Sequence, residues 1–193
     1  MKELAAISGT ALPFLLVVAT SFIKFAVVLA ILRRAIGASA IPPATVTLIL
    51  AALFSLFITA PVGEQIFKAK DLAGGLEPVR AFFVKHAPER ERQSFFELQK
   101  QLRPAEERAQ VSEHDLMVLA PAFATAELKA AFQIGFLLFL PFLIIELVVA
   151  MVLQSVGMYS LQPETVSLPF KLLLFVLADG WHLLLRGVVL SYI

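Results

Sequence analysis

Residues 118–156 form one very long apolar stretch in which only Glu127, Lys129 and Glu146 carry charge. A helix needs about 20 residues to cross the hydrocarbon core of a bilayer. As a single helix this stretch would be roughly 58 Å long, about twice that requirement. Pro141 lies near its middle and is expected to kink or break the helix, which favours a bent pair of helices or a hairpin.

Apolar residues make up 59% of the chain, well above the level that a soluble domain buries in one core. A membrane or a large protein partner must therefore cover the excess. Together with the long apolar stretches and Pro141, it predicts an all-α, integral-membrane-type protein of long, kinked helices arranged as hairpins. Composition divides the chain into three regions. These are an N-terminal hydrophobic helix hairpin (1–62), a polar helical cap (63–117), and C-terminal hydrophobic helices (118–193) with a connecting loop at 157–167.

The polar region carries two amphipathic patterns. The segments EPVRAFFVKH and ERERQSFFELQKQLR both favour helices, and Phe95, Leu98 and Leu102 recur on one face of the second. We therefore expect two or three amphipathic helices here, with a solvated loop as the alternative.

The N-terminal segment resembles a signal peptide only in part, because its apolar run continues past Lys24 without a small-residue cleavage site. It is expected to be retained as a helix. Arg33 and Arg34 in the connector 33–45 place that connector in the cytoplasm by the positive-inside rule.

Charged side chains interrupt the apolar runs at seven positions: Lys24, Glu127, Lys129, Glu146, Lys171, Asp179 and Arg186. Each would cost about 2.5–3.5 kcal/mol at a bilayer centre. Glu127 and Lys129 point to opposite sides of a helix, and on one continuous helix Lys171 and Asp179 would lie about 12 Å apart. These charges therefore need partners on other helices or other chains, which is typical of an assembly subunit.

Three long motifs also resemble a known family. The strings TSFIKFAVVLAILRRAIG followed by IPP, LAPAFATAELKAAFQIGFLLFLPFLIIELVVA, and SLPFKLLLFVLADGWHLL are similar to the R-subunit (FliP/SctR) family of the bacterial type III secretion export apparatus. The resemblance covers essentially the whole chain and is weakest in 63–117.

The resemblance implies a core subunit of the export gate, in the bacterial inner membrane and displaced toward the periplasmic side when assembled. Several copies, usually described as a pentamer, would wind into a helical ring with S-type and T-type subunits. Unfolded exported proteins would pass through its channel. The family's AELK and PFK motifs imply that Glu127 and Lys171 lie at contacts between subunits, and Lys24, Lys129 and Asp179 are further candidates. Snorkelling of Lys171 to an interface is the alternative.

In this family the loop after the first C-terminal helix often carries methionines that seal the channel axis. Here Met158 alone matches, and Tyr159, Ser160 and Leu161 complete the predicted seal. An ordinary turn, with Gly157 as a helix C-cap and Pro163 preventing continuation, is the alternative.

A second sequence feature is the aromatic stripe of Phe132, Phe136 and Phe139, which is more typical of core packing than of a gate. Gly135 beside it would let helices approach closely.

Enzymatic function is not expected. The three histidines, His86, His114 and His182, lack metal-ligand spacing, cysteine is absent, and no glycine-rich phosphate loop or nucleophile motif appears. No cofactor, metal or nucleic-acid partner is predicted. Membrane lipid is a predicted partner. Two alternatives to an export-gate subunit stay open: a small oligomeric ion- or proton-coupled transporter, and a scaffold without a channel. The single loop methionine and the unclear leader favour a virulence injectisome over a flagellum.

Overall fold

The computed structural model describes residues 21–37, 42–69 and 71–193, without the side chains of residues 72 and 73. Over these ranges all regular structure is helical. The helices are α1 (Phe22–Ile36), α2 (Ala44–Lys68), α3 (Leu72–His86), α4 (Glu89–Leu102), a 3-10 turn (Arg108–Gln110), α5 (Leu116–Ser155), α6 (Pro163–Leu177) and α7 (Gly180–Leu190). The helix expected over the first 20 residues lies outside the described ranges.

Two described helices are long and apolar enough to cross a membrane. The helix α2 has 25 residues and α5 has 40, and 18-residue windows within them reach mean hydropathies of 2.2 and 2.9. The helices α6 and α7 meet at 62° and would form a third, broken span if they act together. The predicted all-α, membrane-type fold is confirmed.

Of the kink or break predicted at Pro141, the break is wrong, because α5 continues without interruption from Leu116 to Ser155. Proline removes only one backbone hydrogen bond and crowds one carbonyl. Long apolar helices tolerate this because neighbouring groups satisfy the freed carbonyl and the remaining bonds continue on both sides.

The segment 168–193 is not one continuous helix. The helix α6 ends at Leu177, and Asp179 adopts left-handed backbone angles with φ of 49° before α7 begins. The 12 Å spacing of Lys171 and Asp179 along a single helix therefore does not apply.

One compact unit contains, among the described residues, 21–23 and Leu53–Ala130. Its core lies between α3 and the start of α5, where the rings of Phe83 and Phe123 are 4.9 Å apart. The two amphipathic helices predicted for the polar region are present as α3 and α4. Phe95 of α4 packs against this core, whereas Leu98 and Leu102 on the same predicted face are exposed.

The second compact unit contains Lys24–Ala52 and Ala131–Ile193. Within it, α1 crosses α5 at Gly135, where an added Cβ would overlap the side chain of Ile31. The close helix approach predicted at Gly135 is therefore present, since no larger residue fits there without a shift.

A tight turn connects α5 to α6. Gly157 has a φ of +76°, its N–H donates to the carbonyl of Gln154, and the N–H of Met158 donates to the carbonyl of Leu153. This is the Schellman pattern, in which glycine supplies the left-handed conformation. The predicted C-cap at Gly157 is confirmed. Pro163 opens α6 at its first position, where a missing N–H has no cost.

Candidate functional site: buried charges and the α5–α6 turn

Lys171 on α6 forms an ion pair with Glu146 on α5. The Nζ of Lys171 lies 2.5 Å from Oε2 of Glu146, and the lysine side chain is 2% exposed whereas the glutamate is 37% exposed. The two residues lie on opposite sides of the Gly157 turn, nine residues before α5 ends and eight after α6 begins. Antiparallel helices bring together residues that are equally far from the turn. The equal distance of both residues from Gly157 could have predicted this pair from the sequence, whereas the family motifs implied contacts of Lys171 and Glu127 between subunits.

Gly37 lies beside Lys171 and has a φ of +85°. A Cβ at this position would lie 3.3 Å from Cγ of Glu164 and 3.7 Å from Nζ of Lys171. Glycine therefore supplies both a left-handed conformation and the space in which the Glu164 and Lys171 side chains pack. The end of α1 is thus fitted closely against α6.

Lys24 is buried on α1 and contacts the end of α7. Its Nζ donates a hydrogen bond of 3.0 Å to Oγ of Ser191 and lies 3.8 Å from the centroid of the Tyr192 ring. A hydroxyl oxygen and an aromatic face both stabilise an ammonium group in an apolar environment. The predicted need of Lys24 for a partner on another element is met within the chain.

The other predicted charge positions differ in their exposure and in their contacts. Lys129 on α5 contacts Glu91 on α4 at 3.4 Å, and the lysine is largely exposed. Such surface pairs contribute little, about 0–1 kcal/mol. Glu127, two residues earlier, is buried. Asp179 is exposed at the corner between α6 and α7.

Contacts between aromatic rings stabilise the bend between α6 and α7. A Cβ at Gly180 would overlap the ring of Phe175, and the indole of Trp181 stands edge-on to the same ring at 5.3 Å. Phe142 of α5 contributes a third ring, 6.3 Å from Phe175. Aspartate is one of the few side chains that tolerate left-handed angles, so the Asp179–Gly180 pair permits the bend. The Asp-Gly dipeptide indicates a turn, but it lies within an apolar run that is otherwise typical of a continuous helix.

The four residues predicted to seal a channel lie in the turn between α5 and α6. Met158, Tyr159, Ser160 and Leu161 are all exposed, and Tyr159 is 80% exposed. Their side chains are therefore available to contact other molecules.

The comparisons with known proteins decide the family. The model of the FliP family matches residues 6–188. The chain belongs to the FliP family.

Related proteins match over nearly the full chain. The "Pathogenicity-related ORF2" protein of Xanthomonas campestris pv. glycines is 45% identical over 94% of this chain and 91% of its own length. The "Yop proteins translocation protein R" of Yersinia pestis is 42% identical over 95% of this chain and 91% of its own length. The "Flagellar biosynthetic protein FliP" of Pectobacterium carotovorum subsp. carotovorum is 41% identical over 96% of this chain and 75% of its own length.

This FliP-family chain exposes a large apolar surface. Only 11% of the most apolar window of α5 and 17% of that of α2 is buried within the chain. The aromatic stripe belongs to this surface, since Phe132 and Phe136 are exposed and Phe139 is half-buried. The core-packing interpretation of the stripe is therefore wrong for Phe132 and Phe136. A surface of this size needs lipid or other protein to cover it.

In the described ranges, no three His, Asp or Glu side chains are grouped as a metal site would require. The buried Lys24 and Lys171 lie in contacts between helices. What they can do is hold apolar helices in register.

Proposed function

We propose that this FliP-family chain is a core subunit of a bacterial type III secretion export apparatus. The observation that carries the proposal is the family match over residues 6–188, together with 42% identity to a Yop translocation protein. In this role it forms, with S-type and T-type subunits, the channel through which unfolded proteins are exported.

The distribution of apolar and charged groups supports a subunit that is completed by neighbours. Its two longest helices bury few of their apolar residues within the chain. At the same time, Lys24, Glu127 and Lys171 are buried, so the helices that carry them pack against protein. A homo-oligomeric ring, with the pentamer as the expected form, would cover the remaining surface. Lys129 and Asp179, which are exposed, are the proposed charge contacts between subunits.

The proposed location is the inner membrane, which the apolar lengths of α2 and α5 support. The assembled complex projects toward the periplasm. The system served is a host-directed injectisome rather than a flagellum. This choice is supported by the relatives named for pathogenicity and Yop translocation, at 45% and 42% identity against 41% for the flagellar relative.

The α5–α6 turn is the proposed channel seal. Its exposed Met158, Tyr159 and Leu161 stand on a turn that the Gly157 cap holds in one conformation. Methionine adapts its shape to varied neighbours, whereas tyrosine is stiffer and amphipathic. Together they provide an apolar closure that a passing polypeptide displaces.

A structural role in secretion is the proposed activity, rather than an enzymatic one. The transporter alternative would require one or a few copies of this chain to move a small solute unaided. Relatives named for translocation and for flagellar biosynthesis favour export of proteins instead.

Deletion of the gene followed by complementation tests the function. Loss of effector secretion, restored by the wild-type chain, is the expected outcome. Purification of the tagged chain should then give a ring, or a complex with small hydrophobic subunits. Normal secretion without the gene would overturn the proposal, as would solute transport by the chain alone in vesicles.

A further inference from the structure

A cavity of about 560 Å³ lies beside the last turn of α1. Its walls are of two kinds. Arg33 and Arg34 of α1 and Glu164 of α6 supply charge, and Val27, Ile31 and Phe132 supply apolar surface. A volume of this size is typical of a site for a small molecule.

The two arginines suit a phosphate group. Guanidinium groups bind phosphate oxygens through paired N–H donors and are weakly hydrated, so they make such contacts readily. Arg33 is half-buried and Arg34 is exposed. With Glu164 the rim has a formal charge of +1, by two basic groups less one acidic group. A phosphate group can accept hydrogen bonds from these arginines while Glu164 accepts from hydroxyl groups of the same ligand.

The simplest structural role for Arg33 and Arg34 is to complement the negative end of the α1 dipole. That role needs only exposed side chains at the helix end. It does not require the apolar pocket that Val27, Ile31 and Phe132 form next to them. The combination of a cationic rim and an apolar wall is instead what a lipid headgroup and its acyl chain require.

The place of the cavity in the chain agrees with this ligand. Arg33 and Arg34 end the apolar helix α1, and the membrane-length helix α2 follows at Ala44. Basic pockets between membrane helices at the cytoplasmic boundary commonly take anionic headgroups.

We propose that this cavity binds one anionic glycerophospholipid, with phosphatidylglycerol as the expected species. Its phosphodiester lies between Arg33 and Arg34, an acyl chain follows Val27, Ile31 and Phe132, and its terminal hydroxyls donate to Glu164. This site lies within the subunit itself and is separate from the proposed channel seal at Met158 and Tyr159.

Native mass spectrometry of the purified full-length chain tests the site. The chain is equilibrated in micelles with equal amounts of phosphatidylglycerol and phosphatidylcholine, and retained lipid is counted. We expect one retained phosphatidylglycerol. Arg33→Gln and Arg34→Gln should each reduce its retention about five-fold, because a basic residue near an anionic lipid contributes about that factor. The matched control is Arg186→Gln on α7, an exposed arginine outside the cavity, which should leave retention unchanged.

A second variant keeps both arginines and fills the space. Ala30 also lines the cavity, so Ala30→Trp should displace the acyl chain and reduce retention to a similar extent. Equal retention of the two lipids would overturn the proposal. So would undiminished retention in Ala30→Trp, or an equal loss in Arg186→Gln. These results concern lipid bound to the isolated chain, so they are independent of whether deletion of the gene abolishes secretion.

Discussion

The ammonium group of Lys171 and the carboxylate of Glu146 meet at 2.5 Å across the α5–α6 turn. This contact joins two helices in which apolar residues predominate. Apolar packing alone permits sliding by one turn, whereas an ion pair has one preferred register. The pair is therefore expected to fix the axial position of α6 along α5, and with it the position of the exposed residues in the α5–α6 turn.

Neutralising the two members of this pair should have unequal effects on stability. Glu146→Gln leaves the buried Lys171 charge without its carboxylate, and we expect a loss of roughly 3 kcal/mol, the cost of an uncompensated buried charge. Lys171→Met leaves a carboxylate that water reaches, so the loss should be about 1 kcal/mol. Thermal unfolding of the purified chain in detergent measures both. In the double variant most of the stability should return, and additive losses would show that the two groups do not interact.

Charge reversal distinguishes a contact within the subunit from one between subunits. Lys171→Glu places two carboxylates together and should prevent assembly. If the contact within the chain dominates, Glu146→Lys restores assembly better than Glu127→Lys, and size-exclusion chromatography of the purified complex measures the recovery. Better rescue by Glu127→Lys would assign Lys171 to a contact between subunits, as the family motifs imply.

The bend between α6 and α7 depends on the absence of a side chain at position 180. Gly180→Ala brings a Cβ into the ring of Phe175, and we expect destabilisation of about 1–3 kcal/mol, as for overpacked cores. Gly187→Ala is the matched control on α7, because nothing lies within 4 Å of its Cβ position. That change should stabilise the helix by about 0.5–1 kcal/mol. Similar unfolding temperatures for the two variants would contradict the packing account.

Ser191 is expected to matter because it accepts a hydrogen bond from Lys24. Ser191→Ala should cost about 1–3 kcal/mol, since a buried ammonium loses an oxygen partner. Ser155→Ala is the control. Both hydroxyls donate at 2.7 Å to the carbonyl three residues earlier, but no lysine contact is found at the exposed Ser155. Chemical denaturation of both variants gives the comparison, and equal losses would exclude a specific role for the Lys24 contact.

The channel seal is tested by removing its side chains. Replacing Met158 and Tyr159 by glycine should let ions leak through the assembled gate without preventing assembly, because both side chains are exposed. Tyr159→Phe retains the ring and should keep the barrier closed. Ion flux across the inner membrane of cells that express the complex is the measurement. An unchanged resting barrier in the glycine variant would contradict the proposed seal.

Periodicity and turn chemistry gave several correct predictions. The amphipathic helices α3 and α4 and the cap at Gly157 follow from neighbouring residues, and the close approach at Gly135 follows from its missing side chain, although its partner Ile31 is distant in the chain. The break predicted at Pro141 failed because a local rule was applied to a helix long enough to tolerate the loss of one bond. The bend at Asp179 was missed because an apolar run concealed the Asp-Gly signal.

The sequence alone determined that this chain is helical, apolar enough for membranes, and a FliP-family protein in which buried charges need partners. Only the tertiary structure decided which partners they have: Glu146 for Lys171, and Ser191 with Tyr192 for Lys24. It also decided that Phe132 and Phe136 face outward. The reason is that helical periodicity fixes which residues share a face, whereas the neighbour opposite that face comes from a distant part of the chain.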